Sequence, residues 1–170
     1  AAVEIGALMG ARVVAVASSE AKREVARSKG AGDVIDYTAE PLSKAVHRLT
    51  DGRGADVVLD PVGIAQEEAL RCVAPQGRLL IAGFAGGSIP AYAANPHPAE
   101  GASVIGVRAG EAARQNPGMR VREQAVLMDH AAQGKLRPHV SATFPLADYA
   151  RAMRLLLDRH AVGRVALTME

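Results

Sequence analysis

Residues 10–22 read GARVVAVASSEAK. The apolar run Val13-Val14-Ala15-Val16-Ala17 stops at two serines and passes at once into a charged helical pattern. A short β-branched run that ends in small polar residues and leads into a helix predicts a strand-to-helix turn of an α/β protein. Such turns lie at the carboxyl ends of parallel strands, where open α/β sheets bind their ligands.

The same unit recurs on either side. Gly30-Ala31-Gly32-Asp33 precedes VID, Gly54-Ala55-Asp56 precedes VVLD, Gly77-Arg78 precedes LLIAG, and Gly101-Ala102-Ser103 precedes VIGV. With Gly10, the leading glycines are spaced by 20, 24, 23 and 24 residues. The segments between them do not repeat one motif, so the period is that of successive βα units rather than of a solenoid. Leu42, Ala45, Val46 and Leu49 fall at helical spacing behind Pro41, which suits a first helical turn. Weaker helices are predicted over Ser19–Ser28 and Gln66–Val73, the latter ended by Pro75-Gln76-Gly77. The strand runs are apolar without alternation, as in parallel strands covered on both faces. Right-handed crossovers then predict an α/β, Rossmann-like doubly wound parallel sheet. From Gly86 through Pro98 the chain is loop-rich. A long helix is expected from about Pro117 to Gln133 with Val121, Ala125, Met128 and Ala132 on one face, and a last helix from Asp148 to Arg159. Arg164–Thr168 reads as a last strand.

Composition narrows the function. Hydrophobic residues make up 49% of the 170 and charged residues 22%, enough for one globular core, and with only 3% aromatics that core is built from Val, Ile, Leu and Ala. A formal charge of +2 without a long Lys/Arg cluster predicts no nucleic-acid surface. The apolar stretches are too short to cross a bilayer, so no membrane partner is expected. The one cysteine, Cys72, makes no internal disulfide, which fits a reducing, cytoplasmic setting. The apolar opening AAVEIGALMGA lacks a positive leader and starts inside a helical pattern, so it reads as a chain cut from something longer rather than a signal peptide.

A dinucleotide fold places G-x-G-x-x-G after its first strand and an acidic residue for the ribose some way on. Neither Gly83-Phe84-Ala85-Gly86-Gly87 nor Gly6 with Gly10 has that spacing and position. At the end of the opening strand, where an NAD site has its carboxylate, stand Ala17 and Ser18, with Lys22 one helical turn on and Arg23 beside it. Hydroxyls plus a cation suit a 2′-phosphate. A plain helix cap at Ser18 or Ser19 with solvated cations explains the same residues, and both readings stand at this point.

GARVVAVASSEAKREVARSKGAGDVIDYTAE, GRGADVVLDPVG and PQGRLLIAGFAGGSIP, followed by GKLRPHVSATFPLADYARAMRLLLDRHAVGRVALT, resemble the medium-chain dehydrogenase/reductase superfamily. Within it they resemble the zinc-independent quinone oxidoreductase (zeta-crystallin-like) branch, in collinear order over essentially the whole chain. The resemblance implies about 150 further residues upstream, holding a GroES-like catalytic domain, the first Rossmann strand and the Gly-rich loop. It implies NADPH as cofactor, with Ser18 and Lys22 at the adenosine 2′-phosphate and Tyr37 at the same end. Asp60-Pro61-Val62-Gly63 would then lie beside the ribose and pyrophosphate, with Asp60 and Val62 in contact, and Gly83 and Phe84 by the nicotinamide. Simpler roles exist: Tyr37 as a strand-end aromatic, Asp60 as a cap acceptor, Phe84 as core. Arg108 stands where relatives often carry an aromatic or apolar residue near the substrate, and Arg164 replaces a lysine common in the closing G-K-V motif, keeping charge but not geometry. The histidines at 47, 97, 130, 139 and 160 show no metal-ligand spacing.

The resemblance implies hydride transfer from NADPH to a quinone or activated alkene (an enone), with the catalytic groups outside this chain, which alone is expected to be inactive. A non-catalytic nucleotide-binding or structural module is the alternative, and an S-adenosylmethionine-dependent methyltransferase a more remote one. Residues 1–134 would form a partial dinucleotide-binding domain, and 135–170 a segment that in relatives packs on the GroES-like domain. In the strand order 3-2-1-4-5-6 the absent strand is central. Its neighbours here are expected either to pair directly or to depend on a partner chain. A homodimer through the strand around Ser103–Val107 is also implied.

Overall fold

The structure, a computed structural model, describes residues 1–63, 66–87, 89, 91 and 101–169. In chain order its elements are α1 (Ala2–Leu8), β1 (Val14–Val16), α2 (Glu20–Ser28), β2 (Asp33–Ile35), α3 (Leu42–Leu49), β3 (Ala55–Asp60) and α4 (Gln66–Arg71). They continue with β4 (Val73–Ile81), β5 (Ser103–Gly106), α5 (Ala109–Gln115), α6 (Pro117–Ala132) and β6 (Val140–Pro145). A 3-10 turn (Leu146–Asp148), α7 (Tyr149–Leu157) and β7 (Arg164–Thr168) complete the chain. Two compact units result: Ala1–Asp36 with Arg122–Glu170, and Tyr37–Val121.

In the first unit β1 and β2 pair in parallel, Val14 opposite Asp33 and Val16 opposite Ile35. α2 starts where the Ser19 hydroxyl accepts the Lys22 N–H at 3.4 Å, with Glu20 in its first turn and Arg27 in its last, complementing the helix dipole. β6 and β7 also pair in parallel, and α7 crosses between them. In the second unit the order is β3-β4-β5, all parallel. Ala69, Leu70, Val73, Leu79 and Ile81 form its core, with Val58 and Ala102 packed against it. α3 begins without a cap from its own Pro41; instead Glu68 of α4 accepts the Ser43 N–H at 3.1 Å and the Ser43 hydroxyl at 2.9 Å.

The expected α/β architecture with parallel strands is present, with several differences. Among the described residues β1 pairs with β2 in the first unit, and β3 with β4 in the second. Helix α4 stops at Arg71 rather than Val73, because the Ala55 N–H bonds to the Cys72 carbonyl at 2.8 Å and the sheet takes up the chain at Val73. Pro75-Gln76-Gly77 therefore lies inside β4, where the register jumps and Gln76 adopts φ 61°, and does not form a separate turn. Helix α5 was not foreshadowed, since AGEAARQ has no apolar period; Glu111 bonded to Arg114 and Gln115 supports it. The expected apolar face of α6 exists but is uncovered, with Val121 68% exposed. β3 is likewise not covered on both faces, since Val57 and Leu59 are exposed. Most of the expected loop from Gly86 to Pro98 falls outside the described residues.

Candidate functional site

In the first unit the chain leaves β1 through Ala17, whose N–H bonds to the Ile35 carbonyl at 3.1 Å, and bends through Ser18 and Ser19 into α2. Ser19 is the cap and Ser18 is exposed, so the two serines have separate roles. Arg23 is consumed internally: its guanidinium meets Glu20 at 2.8 Å, Asp36 at 2.7 Å and the Ala17 carbonyl at 3.1 Å. Hydrogen bonds from Arg27 first, then Arg23, hold the Glu20 carboxyl below its ordinary pKa, so this acid beside the turn is neutralised within the helix. Lys22 differs. It is half-buried, and its Nζ donates to the neutral Arg159 carbonyl at 3.1 Å. An ammonium has three donors, so further donors remain for an anion.

Arg159 itself was missed in the sequence. It follows the end of α7 in the left-handed region at φ 58°, a place usually taken by glycine. The expected helix ran through it to its last residue, whereas the helix ends at Leu157 and the turn aims the Arg159 carbonyl at Lys22. The signal available was only that no glycine follows the helix until Gly163. Arg164, five residues beyond Arg159, opens β7 with its N–H on the His139 carbonyl at 2.8 Å and is exposed.

In the second unit the remaining residues gather at the carboxyl ends of β3 and β4. Asp60, only 8% exposed, accepts the Val62 and Gly63 N–H groups on Oδ1 at 2.8 and 2.9 Å, while its buried Oδ2 has no partner among the described residues. The turn after β4 is laced to this one by backbone bonds: Ala82 to the Asp60 carbonyl at 2.8 Å, Ala85 to Pro61 at 3.3 Å, and Gly86 to Val62 at 2.8 Å. A Cβ on Gly83 would stand 3.0 Å from the Pro61 carbonyl oxygen, so glycine permits the close approach. Val62 and Phe84 are exposed on these turns, Phe84 by 46%, and Phe84 is outside the core cluster of the second unit. Tyr37 opens the same unit and is exposed. Thus Asp60, Val62, Gly83 and Phe84 are brought together, as are Lys22 and the turn leading to Arg164.

Chemically, the first group is a cation, a serine hydroxyl and a helix start at the carboxyl end of a parallel strand, a donor set that fits a phosphate. The second is a pair of tight turns bearing apolar side chains, which fits a flat ring. Burial first, and Glu68 second, push the Cys72 thiol up to about 12, so it is no nucleophile. Among the described residues no cluster of His, Cys, Asp and Glu has a metal-holding arrangement, and no helix is long and apolar enough to cross a membrane.

The profile of the family described as zinc-binding dehydrogenase matches residues 1–122. A quinone oxidoreductase-like protein 2 of Bos taurus is 31% identical over 164 residues, covering 96% of this chain and 47% of that protein. The crystal structure of a quinone oxidoreductase of Pseudomonas syringae pv. Tomato DC3000 aligns with a TM-score of 0.85 at 30% identity, over 98% of this chain and 51% of the other. A mycobacterial protein solved in complex with NADPH aligns with a TM-score of 0.85 at 28% identity, over 97% and 52%. The chain spans about half the length of the curated relatives it matches.

Proposed function

Because the chain belongs to the zinc-binding dehydrogenase family, in its quinone oxidoreductase-like branch, we propose that it is the NADPH-binding part of an oxidoreductase acting on a quinone or activated alkene. The observation that carries this reading is the turn at the end of β1, where Ala17 and Ser18 stand in place of a carboxylate and a half-buried lysine with donors to spare follows one helical turn on. Lys22 and Ser18 bind the 2′-phosphate there, the Arg159 carbonyl orients the Lys22 ammonium, and Tyr37 and Arg164 serve the adenosine end. Asp60 shapes the turn that presents Val62 to the ribose, and Gly83 lets Phe84 lie by the nicotinamide. The chemistry that NADPH supplies when bound is a hydride. The residues named here bind and orient; none is assigned a proton transfer.

The domain reading goes with this: 1–134 as the cofactor-binding part and 135–170 as a segment that packs on a catalytic domain. The substrate-side groups belong to that domain, so the chain alone turns over no quinone, and measurable NADPH-dependent quinone reduction by it would overturn that statement. The whole protein is proposed to work without zinc, in the cytoplasm, and as a homodimer through β5, whose Val104 and Ile105 are exposed at the sheet edge. The direct test is a titration of the chain with NADPH and NADH. A clear preference for NADPH is expected, and equal affinities would reject the phosphate turn.

A further inference from the structure

Lys22 and Lys29 stand seven residues apart in α2 and its C-terminal cap, two turns, and therefore share a face. Surface lysines ordinarily extend their ammonium groups into water. These two end instead on main-chain carbonyls of the C-terminal stretch: Lys22 on Arg159, and Lys29 on Arg137. At the second point the bonding is doubled. Glu4 of α1 is buried, its Oε1 accepts the Arg137 N–H at 2.7 Å, and the same oxygen lies 3.5 Å from Lys29 Nζ. One ion pair thus takes up both polar groups of a single residue, and the peptide in turn helps to satisfy a carboxylate that burial would otherwise penalise.

The grip at Arg137 is passed on. Two residues later the His139 carbonyl accepts the Arg164 N–H at 2.8 Å, and a Cβ on Gly163, which has φ 87°, would stand only 2.5 Å from that carbonyl oxygen. Arg159 lies four residues before Gly163. The turn from Arg159 to Gly163 is therefore tethered at one end to the clamped strand and at the other to Lys22. Between α2 and this turn lies a cavity of about 210 Å³, lined by Lys22, Val25, Lys29 and Gly163 among others.

We propose that Glu4 and Lys29 are positioning residues for recognition of the 2′-phosphate: by holding Arg137 they set the Arg159 turn against Lys22 and so fix where the Lys22 ammonium points. This rests on the reading of Lys22 as the phosphate residue, and it adds two determinants of cofactor choice that touch no cofactor.

The experiment measures Kd for NADPH and NADH with the wild-type chain, Lys22→Met, Lys29→Met, Lys29→Arg and Glu4→Gln. It also follows amide hydrogen exchange without ligand. Lys29→Met is expected to weaken NADPH binding about five- to tenfold, less than the roughly ten- to 150-fold of a whole charge-assisted bond because Lys29 acts through Lys22, with NADH unchanged. Lys29→Arg restores the preference, and Glu4→Gln loses part of it. In the exchange experiment Lys29→Met speeds the Arg137 and Arg164 amides about tenfold or more while the interior of α2 stays protected. Equal weakening of both cofactors, or no change in either, would overturn the positioning role. Exchange that rises at Arg137 but not at Arg164 would overturn it too, since the grip would not be passed on. If instead the wild type shows no NADPH preference, or Lys22→Met leaves one intact, the phosphate reading fails, and hydrogen exchange alone then decides whether the clamp exists.

Discussion

The Ser18–Lys22 turn of the first unit and the Asp60 and Gly83 turns of the second are held by different bonds. The second pair is a backbone construction: three main-chain hydrogen bonds lace the turns together, and one carboxylate oxygen closes the first of them. The Ser18–Lys22 turn is capped locally, but its chemistry depends on one side chain meeting a carbonyl 137 residues away. A backbone-built turn resists change in its surroundings and fails when its own residues change. A turn whose chemistry depends on a long side chain is the reverse: the contact that orients its cation lies elsewhere, and the loss of that side chain alters selectivity more than stability.

That contrast can be broken at four points, in descending order of effect. Asp60→Ala leaves two backbone N–H groups without their acceptor and is expected to cost roughly 2–3 kcal/mol, read as a fall in Tm, with affinity for both nicotinamide cofactors reduced in equal proportion. An unchanged Tm would show that the turn does not need its carboxylate. Lys22→Met is expected to keep Tm within a degree or two and to weaken NADPH binding by roughly tenfold or more, leaving NADH alone; a large loss of stability would erase the distinction between the turns. Gly83→Ala pushes a methyl group against the Pro61 carbonyl and is expected to cost about 1 kcal/mol, measurable by denaturant titration. The smallest effect concerns Glu68, whose carboxyl is held below its ordinary pKa chiefly by the Ser43 N–H, against the opposing effect of burial, with smaller help from the Ser43 hydroxyl and Arg71. A lowered folded pKa contributes stability above the unfolded value near 4.5 that is lost as pH falls through the folded one. Glu68→Gln keeps an acceptor and should flatten the decline in Tm below that pH; parallel declines would assign the acid sensitivity to other groups.

How legible each region was follows from the same contrast. The βα rhythm, the parallel strands and the turns after VVLD and LLIAG were readable because they are written in neighbouring residues: an apolar run, a small turn residue, a helical period. The strand Arg164–Thr168 was expected and found over the same residues. Ser19 and Ser18 could not be told apart as cap and exposed hydroxyl, since either satisfies the pattern, and the geometry decides for Ser19. Arg159, Glu4 and Lys29 were invisible because each matters only through a contact distant in sequence. Nor could the sequence show that Arg23 is spent on Asp36 and Glu20 while Lys22 is not. The apolar face of α6 was legible as a pattern, yet its exposure shows that periodicity reports a capacity for burial and not its partner.

The meeting of Lys22 with Arg159 also bears on the order in which the chain is made. Residues 37–121 are contiguous, so everything their unit needs has been synthesised once Val121 has emerged. Lys22 has left the ribosome long before that, but its carbonyl partner follows 137 residues later, a wait of roughly 7 to 27 s at ordinary translation rates. During that interval β1, α2 and β2 exist without the stretch that α2 grips. The residues from Arg122 on, which close the first unit, are translated only after the second has had time to form.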